Sequence, residues 1–353
     1  MGGNVRAGRR SRLASTGVDL HNGSMAPAPS ESDPSSLDAR RPFGRAGERT
    51  PEGSLLALLD DPSPGTWEPV FRALRARGPA ALPALRAAAR DDNARLRARA
   101  RALVEGHERR GRMRRLIAYA ARTSGPPSQR AGERFELERA MWLFSGLETE
   151  RFDARAYVRT LDLLAESALA HFAKRKIGAG PLERAMALPD FMGRRFRFEA
   201  PRSAPHDEEP ESDAFHRATH HPHEIFLHRV LEKRRGLPLS IAIVWQLVAA
   251  RLGAPMEIIG IPGHVLVRVP GAATGGGRRI LVDPASGGRP VSRREVRQYL
   301  EAYDVPFGPG IFAPMSPRGV VRRQIANLMR GLGLRGQLGQ AEELLTLHAL
   351  LDD

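Results

Sequence analysis

One run, PLSIAIVWQLVAARL from Pro238 to Leu252, admits few architectures. Pro238 suits a first helical turn, because its missing N–H has no intrahelical partner to lose there. Gly253 and Pro255 supply a stop. Between them Leu239, Ile241, Ala242, Ile243, Val244, Trp245, Leu247, Val248, Ala249 and Ala250 leave no polar face. A helix apolar on every side belongs inside a domain. Spanning a bilayer takes about 20 apolar residues, so this run is too short to cross one.

The next two apolar runs read as a β-hairpin. His264–Val269 and Arg279–Pro284 are rich in β-branched residues, and the glycine-rich stretch 270–277 breaks both. Pairing Val269 with Arg278 sets Val267 opposite Ile280, Val265 opposite Val282 and His264 opposite Asp283. Opposed residues share a sheet face. That register therefore makes an apolar row on one face and an imidazole–carboxylate pair on the other, the latter expected toward the start of the buried helix. A slip by one residue destroys both. Its cost is a like-charge pair, Arg268 opposite Arg279.

A tight Gly turn into a buried helix, then a strand with His, then a strand with Asp, resembles the core of the transglutaminase-like superfamily. The blocks FLHRVLEKRRGLPLS, LVAARLGAP, GIPGHVLVRV and LVDPASGG resemble one bacterial branch of it, the SirB-type proteins. The resemblance implies an α+β, mainly helical fold in which a buried helix packs on a small antiparallel sheet. It extends from about residue 136 to the C-terminus, and Leu227–Gly288 is its specific part.

Active members of that superfamily carry a nucleophilic Cys at the start of the buried helix, where the helix dipole stabilises thiolate. This chain has no Cys. The Gly-x-Cys spacing puts Pro238 at that position, and a shift of two puts Ser240 there. Proline is no nucleophile, and a serine needs an aligned base. Two readings follow. In one the domain is non-catalytic and binds a protein or peptide as an adaptor or regulator. In the other, Ser240, His264 and Asp283 act as nucleophile, base and orienter in acyl transfer or hydrolysis. Neither requires a cofactor.

The net charge of +15 invites a nucleic-acid reading. The distribution argues against it. Lys174, Lys176 and Lys233 are the only lysines, the arginines run along the whole chain, and aromatics at 6% leave few stacking platforms. The absence of Cys excludes disulfides and fits a cytoplasmic protein. The N-terminus has charge but no apolar run behind it, so it does not read as a secretory signal.

Residues 1–50, rich in Gly, Ser, Pro and Arg, read as a disordered tail. Residues 51–125 read as short amphipathic helices broken at Gly, Pro and Asp-Asp. The run LPALRAAARDDNARLRARARALV resembles a HEAT repeat, although a plain helical hairpin explains it as well. One or two repeats fall short of the about three that a solenoid needs, so this segment is expected to pack on its neighbour. Arg95, Arg97, Arg99 and Arg101 point in several directions around a helix, which suits a solvated face. A SirB-type transglutaminase-like domain is expected over 134–304, opening with helices at Phe135–Leu147 and Asp153–Phe172. Ser292–Tyr299 reads as a short capped helix. Over 318–353, Val320–Leu334 and Leu338–Leu351 read as a helical pair, and RGQLGQAEELLTLHALL resembles the start of a tetratricopeptide unit.

His216, His220, His221, His223 and His228 crowd into one short stretch. His220, His223 and Glu224 are metal ligands by type, but HHPHE matches no metal-binding spacing, so a polar loop is expected and no metal.

Overall fold

The computed structural model describes residues 51–124, 134–149, 152–200, 220–269 and 279–352. The expected tail at 1–50 lies outside them. Four helices open the described chain: α1 (Pro51–Leu59), α2 (Pro64–Ala76), α3 (Leu82–Ala88) and α4 (Ala94–Arg122). Asn93 caps α4 by accepting from the N–H groups of Arg95 and Leu96. Sequence punctuation suggests a break near Gly106, yet α4 continues through Gly106 and Gly111 to Arg122. A glycine inside a helix costs only about 1 kcal/mol relative to alanine. The buried row Leu96, Ala100, Leu103, Met113, Leu116 and Ala120 outweighs that.

The arginine series at the start of α4 is not simply a solvated face. Arg95 donates to the carbonyl of Asp60, Arg99 to those of Leu59 and Asp61, Arg97 to those of Asp91 and Asp92, and Arg101 to that of Ala89. These are the carbonyls that helix ends leave without partners. The guanidiniums thereby tie the turns after α1 and α3 to α4, and Arg99 also lies 4.1 Å over the Trp67 ring.

Next come α5 (Leu137–Ser145), α6 (Ala154–Lys174), α7 (Pro181–Asp190), α8 (Leu227–Lys233) and α9 (Pro238–Arg251). Asp153 caps α6 as its position suggests. The α9 helix lies in the interior against α6, α7 and α8, with Trp245 fully buried. Each large side chain buried this way contributes about 1.5–3 kcal/mol. Four antiparallel strands follow in sheet order β1 (Glu257–Ile261), β2 (His264–Val269), β3 (Ile280–Asp283) and β4 (Arg289–Val291). Ile258, Val265, Val267, Val269 and Val282 face α9. Ile259, Ile261, Leu266 and Leu281 form the other face, covered by Val296 and Leu300 of α10 (Arg293–Glu301) and by Phe312. The α10 helix carries a full capping box between Ser292 and Glu295.

The β2–β3 register differs from the expected one by two residues. Val267 pairs with Val282, Arg268 with Leu281 and Val269 with Ile280. Arg268 thus escapes Arg279 and instead binds Glu257, directly opposite on β1, at 2.6 Å and the Phe312 carbonyl at 2.8 Å.

The chain closes with α11 (Pro317–Leu334), α12 (Leu338–Glu342) and α13 (Leu345–Leu350), so the second member of the expected pair is two short helices. The α13 helix packs on α4, and Glu343 pairs with both Arg75 and Arg109. One hydrophobic core runs from Met113 and Leu116 through α9 to Leu347 and Leu351. The second half of α4 and the C-terminal helices therefore share a core with the central helix and sheet. Among the described residues no helix is long and apolar enough to cross a membrane.

Candidate functional site

His264 opens β2 immediately after the Pro262-Gly263 turn, where Gly263 takes φ +71° at no steric cost. Asp283 closes β3. Extending the observed register sets Leu266 opposite Asp283 and His264 diagonal to it on the same face, within reach of side-chain contact. The imidazole Nε2 lies 3.3 Å from Asp283 Oδ1. The buried carboxylate also accepts from the Ala285 N–H at 2.8 Å and the Ser286 hydroxyl at 2.6 Å. Burial alone would push Asp283 up, but the hydrogen bonds from His264, Ser286 and Ala285 outweigh it and hold the group below the usual carboxylate range.

This pair stands on the α10 face of the sheet, because His264 alternates with Val265 and Asp283 with Val282, both of which face α9. That corrects the expected placement toward the start of the buried helix. The Tyr299 ring of α10 lies 6.0 Å from the His264 ring. Burial and the neighbouring Tyr303 push the Tyr299 phenol up to about 12. Arg323 of α11 grips the turn from outside, with Nη2 donating to the carbonyls of Ile261 and His264 at 3.0 Å each. Burial draws its guanidinium below the usual value, and among the described residues no carboxylate forms an ion pair with it.

Ser240 is elsewhere. It sits in the first turn of α9 with 0% exposure, donates its hydroxyl proton to the Glu224 carbonyl at 2.8 Å and accepts from Gln324 Nε2 at 2.7 Å. Gln324 also donates to the Ile225 carbonyl at 2.6 Å. Ser240 thus joins the segment before α8, the start of α9 and α11. The structure brings His264 and Asp283 together, and it engages the Ser240 hydroxyl with groups other than His264. Pro238 is the first residue of α9, as its missing N–H suggests.

Residues 155–326 match the family model described as the transglutaminase-like superfamily. The chain carries a transglutaminase-like domain. A UPF0162 protein of Xylella fastidiosa (strain 9a5c) is 34% identical over 113 residues, 30% of this chain and 39% of that protein. A UPF0162 protein of Pseudomonas aeruginosa is 41% identical over 68 residues, 19% of this chain and 23% of that protein. The mouse F-box only protein 21 is 29% identical over 125 residues, 34% of this chain and 19% of that protein. The chain therefore spans 39% or less of these relatives' own lengths. No solved structure matches it significantly.

Within the transglutaminase-like domain the histidine-rich stretch turns two of its side chains to Glu148. His228 Nε2 lies 2.6 Å from Glu148, and its ring packs on Phe152 and Tyr157. Lys233 donates to His223 Nδ1, and the other His223 nitrogen lies 3.6 Å from Glu148. Glu224 turns to Arg235. Burial would raise Glu148, but hydrogen bonds from His228 and Arg229 hold it below its usual range. Among the described residues no group of three His, Cys, Asp or Glu is arranged to hold a metal ion. His216 lies outside them.

Ser286, Tyr299 and Arg323 complete the surroundings of His264 and escape sequence reasoning. Ser286 had a signal, since Asp-Pro-Ala-Ser right after a strand is a turn that lets the hydroxyl reach back to the carboxylate. Tyr299 and Arg323 carry none, because their proximity depends on how α10 and α11 cross the sheet.

Proposed function

We propose that this chain is a non-catalytic transglutaminase-like protein of the SirB type, acting in the cytoplasm as an adaptor or regulator that binds a protein or peptide. The observation that carries the reading is the environment of Ser240. A serine nucleophile needs its hydroxyl bonded to a base that can take the proton. Here the proton goes to a backbone carbonyl, the oxygen is sealed in the core, and the imidazole belongs to Asp283 on the other side of the sheet. The competing reading, acyl transfer or hydrolysis by Ser240, His264 and Asp283, requires the sheet and α9 to rearrange before any reaction.

A binding role draws support from the helical flanks, whose sequences resemble HEAT and tetratricopeptide units. They meet across a cleft of 580 Å³ whose apolar walls include Phe71, Leu103, Met113, Phe226, Leu328 and Leu344. Leu338 stands at this cleft with 62% exposure. Selection of displayed peptides on the purified chain tests the reading. Peptides should be enriched that lose binding to Leu338→Glu while the variant keeps its melting temperature. No enrichment, or peptides indifferent to Leu338→Glu, contradicts binding at this cleft.

A further inference from the structure

A second cavity, of 560 Å³, opens beside the α4–α5 junction on residues that play no part in the His264 site. Its size falls within the about 300–1,000 Å³ typical of small-molecule sites. One wall is apolar and largely aromatic: Trp142, Leu143 and Phe152, with the Trp142 and Phe152 rings 6.2 Å apart. The other wall carries three guanidiniums, Arg112 and Arg115 from α4 and Arg139 from α5.

The carboxylates on the lining itself leave the Arg112 and Arg115 guanidiniums unpaired among the described residues. Glu138 is taken by Arg251, which binds it through both terminal nitrogens at 2.9 and 2.7 Å, and it also accepts from Trp142 Nε1. Glu136 is left as the other acidic group on the lining. Arg139 lies 4.8 Å over the Tyr119 ring. The guanidiniums of Arg112 and the exposed Arg115 form no hydrogen bond or ion pair with any described residue, and Arg112 Nε is shut off from water without a partner. Burial draws the Arg112 guanidinium below its usual value, although Glu108 and Glu105 pull it the other way. A buried donor on a cation is costly to leave unmet. One cavity is thus lined both by the Arg112 and Arg115 side chains and by the apolar Trp142, Leu143 and Phe152.

We propose that this cavity binds a small aromatic anion, its ring against Trp142, Leu143 and Phe152 and its phosphate or carboxylate held by Arg112 and Arg115. Guanidinium forks match both oxyanions in bidentate geometry, and the apolar wall favours a ring over a bare ion. Phosphate and carboxylate carriers share this chemistry, and calorimetry separates them.

The full chain is titrated with adenosine 5′-monophosphate and, separately, with 2-naphthoate. Adenosine and inorganic phosphate serve as the halves of the first ligand. At least one aromatic anion should bind, with each half at least about tenfold weaker than the nucleotide if the nucleotide is the binder. Arg112→Gln combined with Arg115→Gln should weaken binding by at least about tenfold. Ala154→Phe, which narrows the cavity and keeps every arginine, should weaken it as well, and it decides the matter if the double variant fails to fold. No binding of either aromatic anion at millimolar concentration overturns the proposal. So does binding that is indifferent to these substitutions, or phosphate alone binding as well as the nucleotide.

Discussion

Ser240 Oγ lies 2.8 Å from the carbonyl oxygen of Glu224 and donates its proton there. That bond joins the start of α9 to the segment before α8, and Gln324 adds α11 to the same junction. Ser240→Ala should deprive the Gln324 amide of one acceptor in a dry site, while the Glu224 carbonyl keeps the Leu237 N–H. Urea unfolding should show a loss of about 1–3 kcal/mol, the cost of an unmet buried polar group. A loss near zero would mean that the hydroxyl contributes nothing to the junction.

The His264–Asp283 pair makes stability depend on pH in one direction. Asp283 has a folded pKa below its unfolded value, so its contribution is full above the unfolded carboxylate value of about 3.9 and is lost as pH falls through the folded value. Urea midpoints measured from neutral pH downward should fall in that acid window. Asp283→Asn should be less stable at neutral pH and show a shallower fall. Parallel curves for the two proteins would remove Asp283 from the acid response.

Arg323 braces the β1–β2 turn through two carbonyls and, among the described residues, pairs with no carboxylate. Arg323→Met should release the turn and speed amide hydrogen exchange at residues 261–264, with the protection of α9 unchanged. Faster exchange spread over the whole sheet would instead assign Arg323 a global role.

How much of this is legible in sequence varies by element. The α9 helix is, because a run apolar on every side has few homes. The β2–β3 hairpin and the His264–Asp283 contact are also, for a reason that hides the error in register. A shift of two leaves every side chain on its face, so alternation cannot separate Val267 opposite Ile280 from Val267 opposite Val282. Nor does alternation say which face the buried helix covers, and here that decides the separation of the pair from Ser240. The strands β1 and β4 escape notice. Gly260 interrupts the first, and the second has three residues, one of them proline. The partners of Ser240 are 16 and 84 residues away, beyond any local pattern.

Gly193 marks the closest backbone approach around the Asp283 turn. A Cβ there would fall 1.9 Å from the Gly287 carbonyl oxygen, so the turn or the end of α7 would have to move. Gly193→Ala should lower the stability of the chain by about 1–3 kcal/mol or more, the cost of overpacking. A melting temperature equal to the parent's would show that the two backbones part freely.

The central claim is that Ser240 is a structural hydroxyl and not a nucleophile. A fluorophosphonate probe, which reacts with serines activated by a base, tests it most directly when adducts are located by peptide mass spectrometry of the folded chain. No adduct at Ser240 is the outcome predicted for a hydroxyl that is sealed in the core and bonded to Glu224. An adduct at Ser240 that disappears in His264→Ala would contradict the account, since it would show the imidazole activating that oxygen.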